Sequence, residues 1–168
     1  MLQLEKVLSS QAMAVRVKRW HTWPTIRANT VGEHSARVAL IYMEMWGLPR
    51  AEVLQWCLYH DLGELSAGDV PSYAKRDVPE LKGAIDQAEA MGRLTQGVVL
   101  PELTKKEYDR VRIADALEGW ESAAIDYAMG NAFAAIAQDF MGKKAWQKAI
   151  DAKEEMTVLN FMKKEFGE

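Results

Sequence analysis

An all-α fold is the prediction for this chain: apolar residues recur at helical spacing, strand-like alternation is almost absent, and short Gly and Pro punctuation divides the helical stretches. The first helix is expected from about Leu2 to Arg19, with Leu4, Val7, Leu8, Met13 and Val17 near one side. Its polar end delivers Lys18, Arg19 and Trp20, and a loop through His21, Pro24 and Asn29 follows. Thr30 and Glu33 have the spacing of a capping box, so the next helix should start just before His34. Gly47 suits its end. Pro49 suits the first position of a further helix, which carries Val53, Leu54, Cys57 and Leu58 inward and ends at His60 and Asp61. From Gly68 to Pro79 the pattern is too broken for a long helix and reads as a loop over a site, carrying Lys75. A helix from Pro79 to Thr95 is expected next. Thr104 and Glu107 form a second capping box that should open a helix through Asp115 to Met129, and Asn131 starts a long final helix to the C-terminus.

A length of 168 residues predicts a single compact domain, residues 1–168. A chain of that size buries roughly two-thirds of the surface it exposes unfolded. The composition, 49% hydrophobic and 27% charged, is ordinary for a globular protein, and no apolar run approaches a bilayer span. The N-terminal stretch mixes acid and base and lacks the pattern of a secretory signal, so no membrane partner and a cytoplasmic location (a host's cytoplasm for a viral protein) are expected. The single Cys57 falls on an apolar helix face, where it reads as a core thiol. A net charge of -3 argues against a nucleic-acid polymer as partner, since duplex binders concentrate basic charge on one face. A small phosphate compound needs only a few cations focused in a pocket.

Two of the three histidines sit where helical pattern gives way to acid-rich, Gly-bearing sequence, TVGEHSARVAL around His34 and LYHDLGELSAGDVP around His60. His34, His60, Asp61 and the distant Asp115 supply two imidazoles and two carboxylates for one divalent cation. That mixed N and O set leaves positions for water or substrate oxygen, whereas structural zinc sites are closed and thiolate-rich. A divalent ion lowers the pKa of its water and polarises a phosphoryl oxygen, which suits phosphate ester hydrolysis. Glu64, three residues after Asp61, is the candidate acid/base, or else a solvated helix-end glutamate. Arg112 precedes Asp115 by three residues and joins Arg19 and Lys75 as cations that can meet phosphate oxygens, although each taken alone suits a plain surface. Trp20 can stack on a nucleobase or pack in the core, and Asp69 can accept from a sugar hydroxyl or make its own turn. His21 reads as a surface or capping residue, and the nine methionines read as adaptable core filling.

The pattern H…HD…D resembles the HD-domain phosphohydrolase superfamily, whose members are all-helical and metal-dependent. The runs RW at 19–20, VGEHS at 31–35, YHDLGELSAGDVPSYAK at 59–75 and RIADALEGW at 112–120 are similar to the bacterial 5'-deoxynucleotidase branch. The short segment at 47–50 and the compact length are also similar to phage dATP triphosphohydrolases. The resemblance implies a helical bundle in which His34, His60, Asp61 and Asp115 bind the metal (Zn, Co or Mn, with Mg accompanying the phosphates). It implies that Asp61 and Glu64 are catalytic, that Arg19, Trp20, Asp69 and Lys75 line a deoxynucleotide pocket, and that Arg112 contacts phosphate. The expected reaction is dATP to deoxyadenosine and triphosphate, with cleavage of dNMPs by a 5'-deoxynucleotidase as the alternative. A ppGpp hydrolase would need an acid pair that Glu64 and its neighbours do not supply, and a non-catalytic scaffold is disfavoured by the intact ligand set. The family's habits imply a homo-oligomer, a dimer or a hexameric ring, to which Trp146, Val158 and Phe161 would contribute unless they are core.

Overall fold

The computed structural model describes residues 10–166, with the side chains of residues 10, 72, 73 and 166 outside that description. Among the described residues the regular structure is helical except for one small ribbon, in agreement with the all-α prediction. The contacts gather into two compact units, residues 1–35 with 58–100 and residues 36–57 with 101–168.

In the first unit, helix α1 (Ser10–Ala14) gives way to strand β1 (Lys18–Arg19), which pairs antiparallel with β2 (Asn29–Thr30). This corrects the single helix expected to Arg19; Leu4, Val7 and Leu8 lie outside the described residues. The segment Val15-Arg16-Val17-Lys18 alternates β-branched with basic residues, and such residues fit a pleated ribbon better than a helix. The ribbon also serves the next helix, α2 (Val31–Trp46): the backbone N–H of Val31 donates to Val17 O at 2.9 Å and that of Gly32 to Val15 O at 3.0 Å. Two of the four amides a helix leaves unanswered at its start are thereby satisfied. Thr30 and Glu33 supply the predicted capping box, with Thr30 N donating to Glu33 Oε2 at 2.9 Å and Glu33 N donating to Thr30 Oγ1 at 3.3 Å.

Helix α3 (Ala51–Tyr59) ends just before His60 and Asp61. Val53 and Cys57 are buried as expected, Leu54 is half-buried, and Leu58 is exposed because the buried stripe of this short helix is only one residue wide per turn. Two short helices, α4 (Glu64–Ala67) and α5 (Ser72–Asp77), follow and pack on α6 (Pro79–Thr95). The segment expected to be a plain loop after Gly68 thus contains a helix, though one of only six residues. Helix α6 has the predicted bounds. It meets the chain after His60 backbone to backbone: a Cβ on Gly63 would stand 2.1 Å from Glu89 O, and one on Gly92 would stand 2.5 Å from Ser66 Oγ. No residue but glycine fits either place, and the pair fixes the turn that carries the candidate site. Ala14, Leu62 and Val98, with Tyr59 against them, form a small apolar cluster in this unit.

The second unit is built on α7 (Lys105–Ala128), α8 (Ala134–Ala152) and α9 (Glu155–Phe166), α7 packing along α8 and α8 against α9. Helix α7 opens on the predicted Thr104–Glu107 capping box and buries Val111, Ile113, Leu117 and Trp120. Arg50 donates to Glu107 at 2.6 Å, and that contact, with the bonds from Thr104, holds the Glu107 carboxyl down to about 2. Arg37 grips Glu121 with two bonds of 2.6 Å, and Glu154 accepts from Trp46 at 3.1 Å and from Arg110 at 2.8 Å. The single final helix expected from Asn131 is two helices. They break at Lys153, whose φ of 58° is left-handed and turns the chain into α9. Val158 and Phe161 are core residues of this unit, while Trp146 is exposed. Among the described residues no helix is long and apolar enough to cross a membrane.

Candidate metal centre

The first unit brings three of the four expected ligands together. His34 stands in the first turn of α2, fixed by the capping box and the ribbon. His60 and Asp61 occupy the turn after α3, where Arg93 of α6 donates to His60 O at 2.9 Å and Gln96 donates to Leu62 O at 2.8 Å. The two imidazoles present Nε2 to Nε2 at 3.4 Å, and Asp61 closes the triangle with Oδ2 at 3.3 Å from His34 Nε2 and Oδ1 at 3.4 Å from His60 Nε2.

Those edges decide what the group is for. Zinc–nitrogen bonds of about 2.0–2.1 Å at a tetrahedral angle set two donor atoms about 3.4 Å apart. The two imidazole nitrogens have that separation and one Asp61 oxygen lies as close to each of them, so the three residues can each turn a donor atom to a single ion, and both histidines are buried, at 0% and 5% exposure. The donor set fits a divalent ion.

Arg19, brought over by β1, donates to Asp61 Oδ2 at 2.7 Å and lies 3.9 Å from Glu64 Oε1. Burial alone would raise the Asp61 carboxyl, but His60, His34 and Arg19 outweigh it and hold the group well below the usual carboxylate range. Glu64 goes the other way. It is buried at the start of α4, its Oε2 has no hydrogen-bond partner among the described residues, and burial together with the Asp61 charge pushes its carboxyl up to about 9. Two neighbouring carboxyls with opposite protonation preferences are the usual signature of divided labour in a site.

Trp20 follows Arg19 directly and has φ of 59°, an uncommon conformation for a bulky residue. Asp69 holds it there by accepting from Trp20 N at 2.9 Å, so one Asp69 oxygen has a structural duty. The indole Nε1 of Trp20 is buried with no acceptor among the described residues. Lys75 on α5 donates to Glu89 at 2.9 Å. Asp115 and Arg112 belong to the second unit, 3.4 Å apart on α7. The spacing of the sequence did not reveal Arg93 or Gln96 as supports of the HD turn, because their partners are backbone carbonyls that no residue pattern marks.

Residues 15–156 match the family described as HD domain. The chain belongs to the HD domain family. Among relatives of this HD protein, a dATP triphosphohydrolase of cyanophage S-2L is 31% identical over 115 residues, a stretch that spans 64% of this chain and 59% of that protein. A solved structure, the cyanophage S-2L HD phosphohydrolase (DatZ) bound to dA and one catalytic Zn2+ ion, is similar with a TM-score of 0.58 over 89% of this chain and 95% of that one. At 18% identity that likeness shows the shared fold.

Proposed function

We propose that this HD protein hydrolyses 2'-deoxynucleotides at the α-phosphorus, taking dATP to deoxyadenosine and triphosphate. The observation that carries the reading is the His34–His60–Asp61 triangle beside a buried carboxyl whose pKa is raised. The likeness to phage proteins described as a dATP triphosphohydrolase and as an HD phosphohydrolase bound to dA and Zn2+ gives the substrate class. His34, His60 and Asp61 would hold the ion. The sequence pattern adds Asp115 as the fourth ligand, an assignment that rests on that pattern alone.

When bound, a divalent ion supplies a Lewis acid for the phosphoryl oxygen and lowers the pKa of a water. The residues do the rest. Arg19 orients Asp61 and offers cationic charge to the α-phosphate. In the reaction water's oxygen bonds to the α-phosphorus, the bond from that phosphorus to the 5' oxygen breaks, the leaving oxygen takes a proton from Glu64, and a proton of the attacking water passes to Glu64 and restores it. Glu64, protonated at neutral pH by its surroundings, is the donor. A cation beside it pulls its carboxyl back toward ionisation, which leaves a group able to exchange a proton near neutrality. Trp20 offers its indole N–H and ring to the nucleoside.

The test is product analysis with Zn2+, Co2+ or Mn2+ over dNTPs and dNMPs. Deoxyadenosine and triphosphate from dATP are the expected products. Release of orthophosphate from dNMPs with no dNTP cleaved would replace this reading with a 5'-deoxynucleotidase, and inertness toward both would overturn it.

A further inference from the structure

Sequence resemblance marks Lys75 as a pocket cation, but the structure gives it a partner of its own within the first unit. From α5 its ammonium donates to Glu89 Oε1 of α6 at 2.9 Å, the one acceptor it has among the described residues. The pair is mostly withdrawn from solvent, with the Lys75 side chain 23% exposed and that of Glu89 15%. An ammonium offers three donors, and Glu89 answers one of them.

Glu89 is fixed independently of this contact. Its backbone O is the first atom that a Cβ on Gly63 would meet, so α6 touches the turn before Glu64 backbone to backbone. Arg93, one turn further along α6, donates to His60 O at 2.9 Å, so the same face of that helix braces the turn carrying His60 and Asp61. Burial and the Asp61 charge raise the Glu64 carboxyl most, and the Glu89 charge adds to them, which places the pair beside the candidate acid. An ion pair taken out of water gains little over its desolvation cost, so stability alone is a weak reason for this one. A carboxylate and a phosphate present the same kind of charged oxygen to an ammonium. Lysine, a point charge on a flexible stem, can exchange one such oxygen for another by a change of rotamer.

We propose that Glu89 is a built-in stand-in for substrate phosphate: it holds Lys75 while the pocket is empty and yields the ammonium to a phosphate oxygen when a nucleotide enters. The inference rests on the proposed hydrolase reading and deepens it, because the resemblance supplies Lys75 and the structure supplies its competitor. Glu89 thereby sets how tightly the nucleotide is held.

The experiment is a double-mutant cycle of Glu89→Gln and Lys75→Met. It is read by isothermal titration with a dATP analogue that carries CH2 in place of the 5' oxygen and so is not cleaved at that bond. The full chain is used with its metal bound, at a temperature where circular dichroism shows every variant folded. Glu89→Gln should bind the analogue about tenfold tighter than the wild type, since the competitor for Lys75 is gone. Lys75→Met should bind it about tenfold weaker, and adding Glu89→Gln to that variant should change the affinity less than about twofold. Without ligand Glu89→Gln should melt lower than the wild type, because a mostly buried ammonium is left alone, and saturating analogue should narrow the difference. An equal gain in both backgrounds would mean that Glu89 acts on the ligand through space and not through Lys75, and that result, or no gain in either background, overturns the proposal. Turnover of dATP is followed in parallel. Cleavage by the wild type without the coupling leaves the hydrolase reading in place and ends the exchange at Lys75. Coupling without cleavage of any dNTP keeps the exchange and ends the hydrolase reading.

Discussion

The two units of this HD protein use buried space differently. In the first, a small apolar cluster of Ala14, Leu62 and Val98 coexists with buried His34, His60 and Glu64, a left-handed Trp20 and unanswered polar atoms on Trp20 and Glu64. In the second, α7 and α8 bury an apolar seam through Val111, Leu117, Trp120, Ala145 and Ala149, and Arg37–Glu121 and Arg110–Glu154 are closed pairs. Polar burial and strain cost stability, and they persist where chemistry uses them. The contrast teaches that the first unit is shaped around a reaction and the second around packing, where buried Glu118, Glu121 and Asp126 are each answered within the unit by Ser122, Arg37 and Asn131.

The largest effect that tests this contrast is Asp61→Ala. Loss of the Asp61 corner, and with it two of the three close approaches, should abolish ion retention and cut turnover at least about a thousandfold, or about 4 kcal/mol of barrier. Metal content by mass spectrometry and turnover are the measurements. The melting temperature should fall as well, because Arg19 and both histidines hold this carboxylate ionised in the folded chain and the variant removes it. Full turnover in this variant would sink the metal reading.

Leu117→Ala is the counterpart in the second unit. Leu117 is wholly buried on α7, and truncating such a side chain costs about 2–5 kcal/mol. Urea unfolding should show a loss in that range, while metal content per folded molecule stays at the wild-type level. Parallel loss of stability and metal would end the division of labour.

Much of this contrast was legible in the sequence, and the reasons are local. The bounds of α6 and α7 follow from Pro79 and from the Thr104–Glu107 box, devices that act within one helical turn. The three candidate ligands of the first unit stood out because histidine is rare here, breaks the helical pattern, and in one case is followed directly by Asp61. What escaped was non-local or subtle. The ribbon of residues 18–19 with 29–30 exists only once the two segments meet, and the helix break at Lys153 lacks a glycine to mark it. The α5 helix, six residues long, is too short for a periodic signal.

The smallest expected effects come from the two capping boxes, which offer the same device in both units. Removing an N-cap hydroxyl costs about 1 kcal/mol, so Thr30→Ala and Thr104→Ala should lower stability by similar amounts in urea unfolding. Their effect on metal binding should differ. Thr30 caps α2 one turn before His34, and fraying there frees the imidazole whose Nε2 faces His60 at 3.4 Å. Thr104 caps α7 about three turns before Asp115, and fraying of one turn does not reach that far. Competition with a chelator should therefore show a several-fold weaker metal affinity for Thr30→Ala and none for Thr104→Ala. Equal weakening in both would mean that metal retention follows global stability. Weakening in Thr104→Ala alone would shift the burden of ligation from His34 to α7.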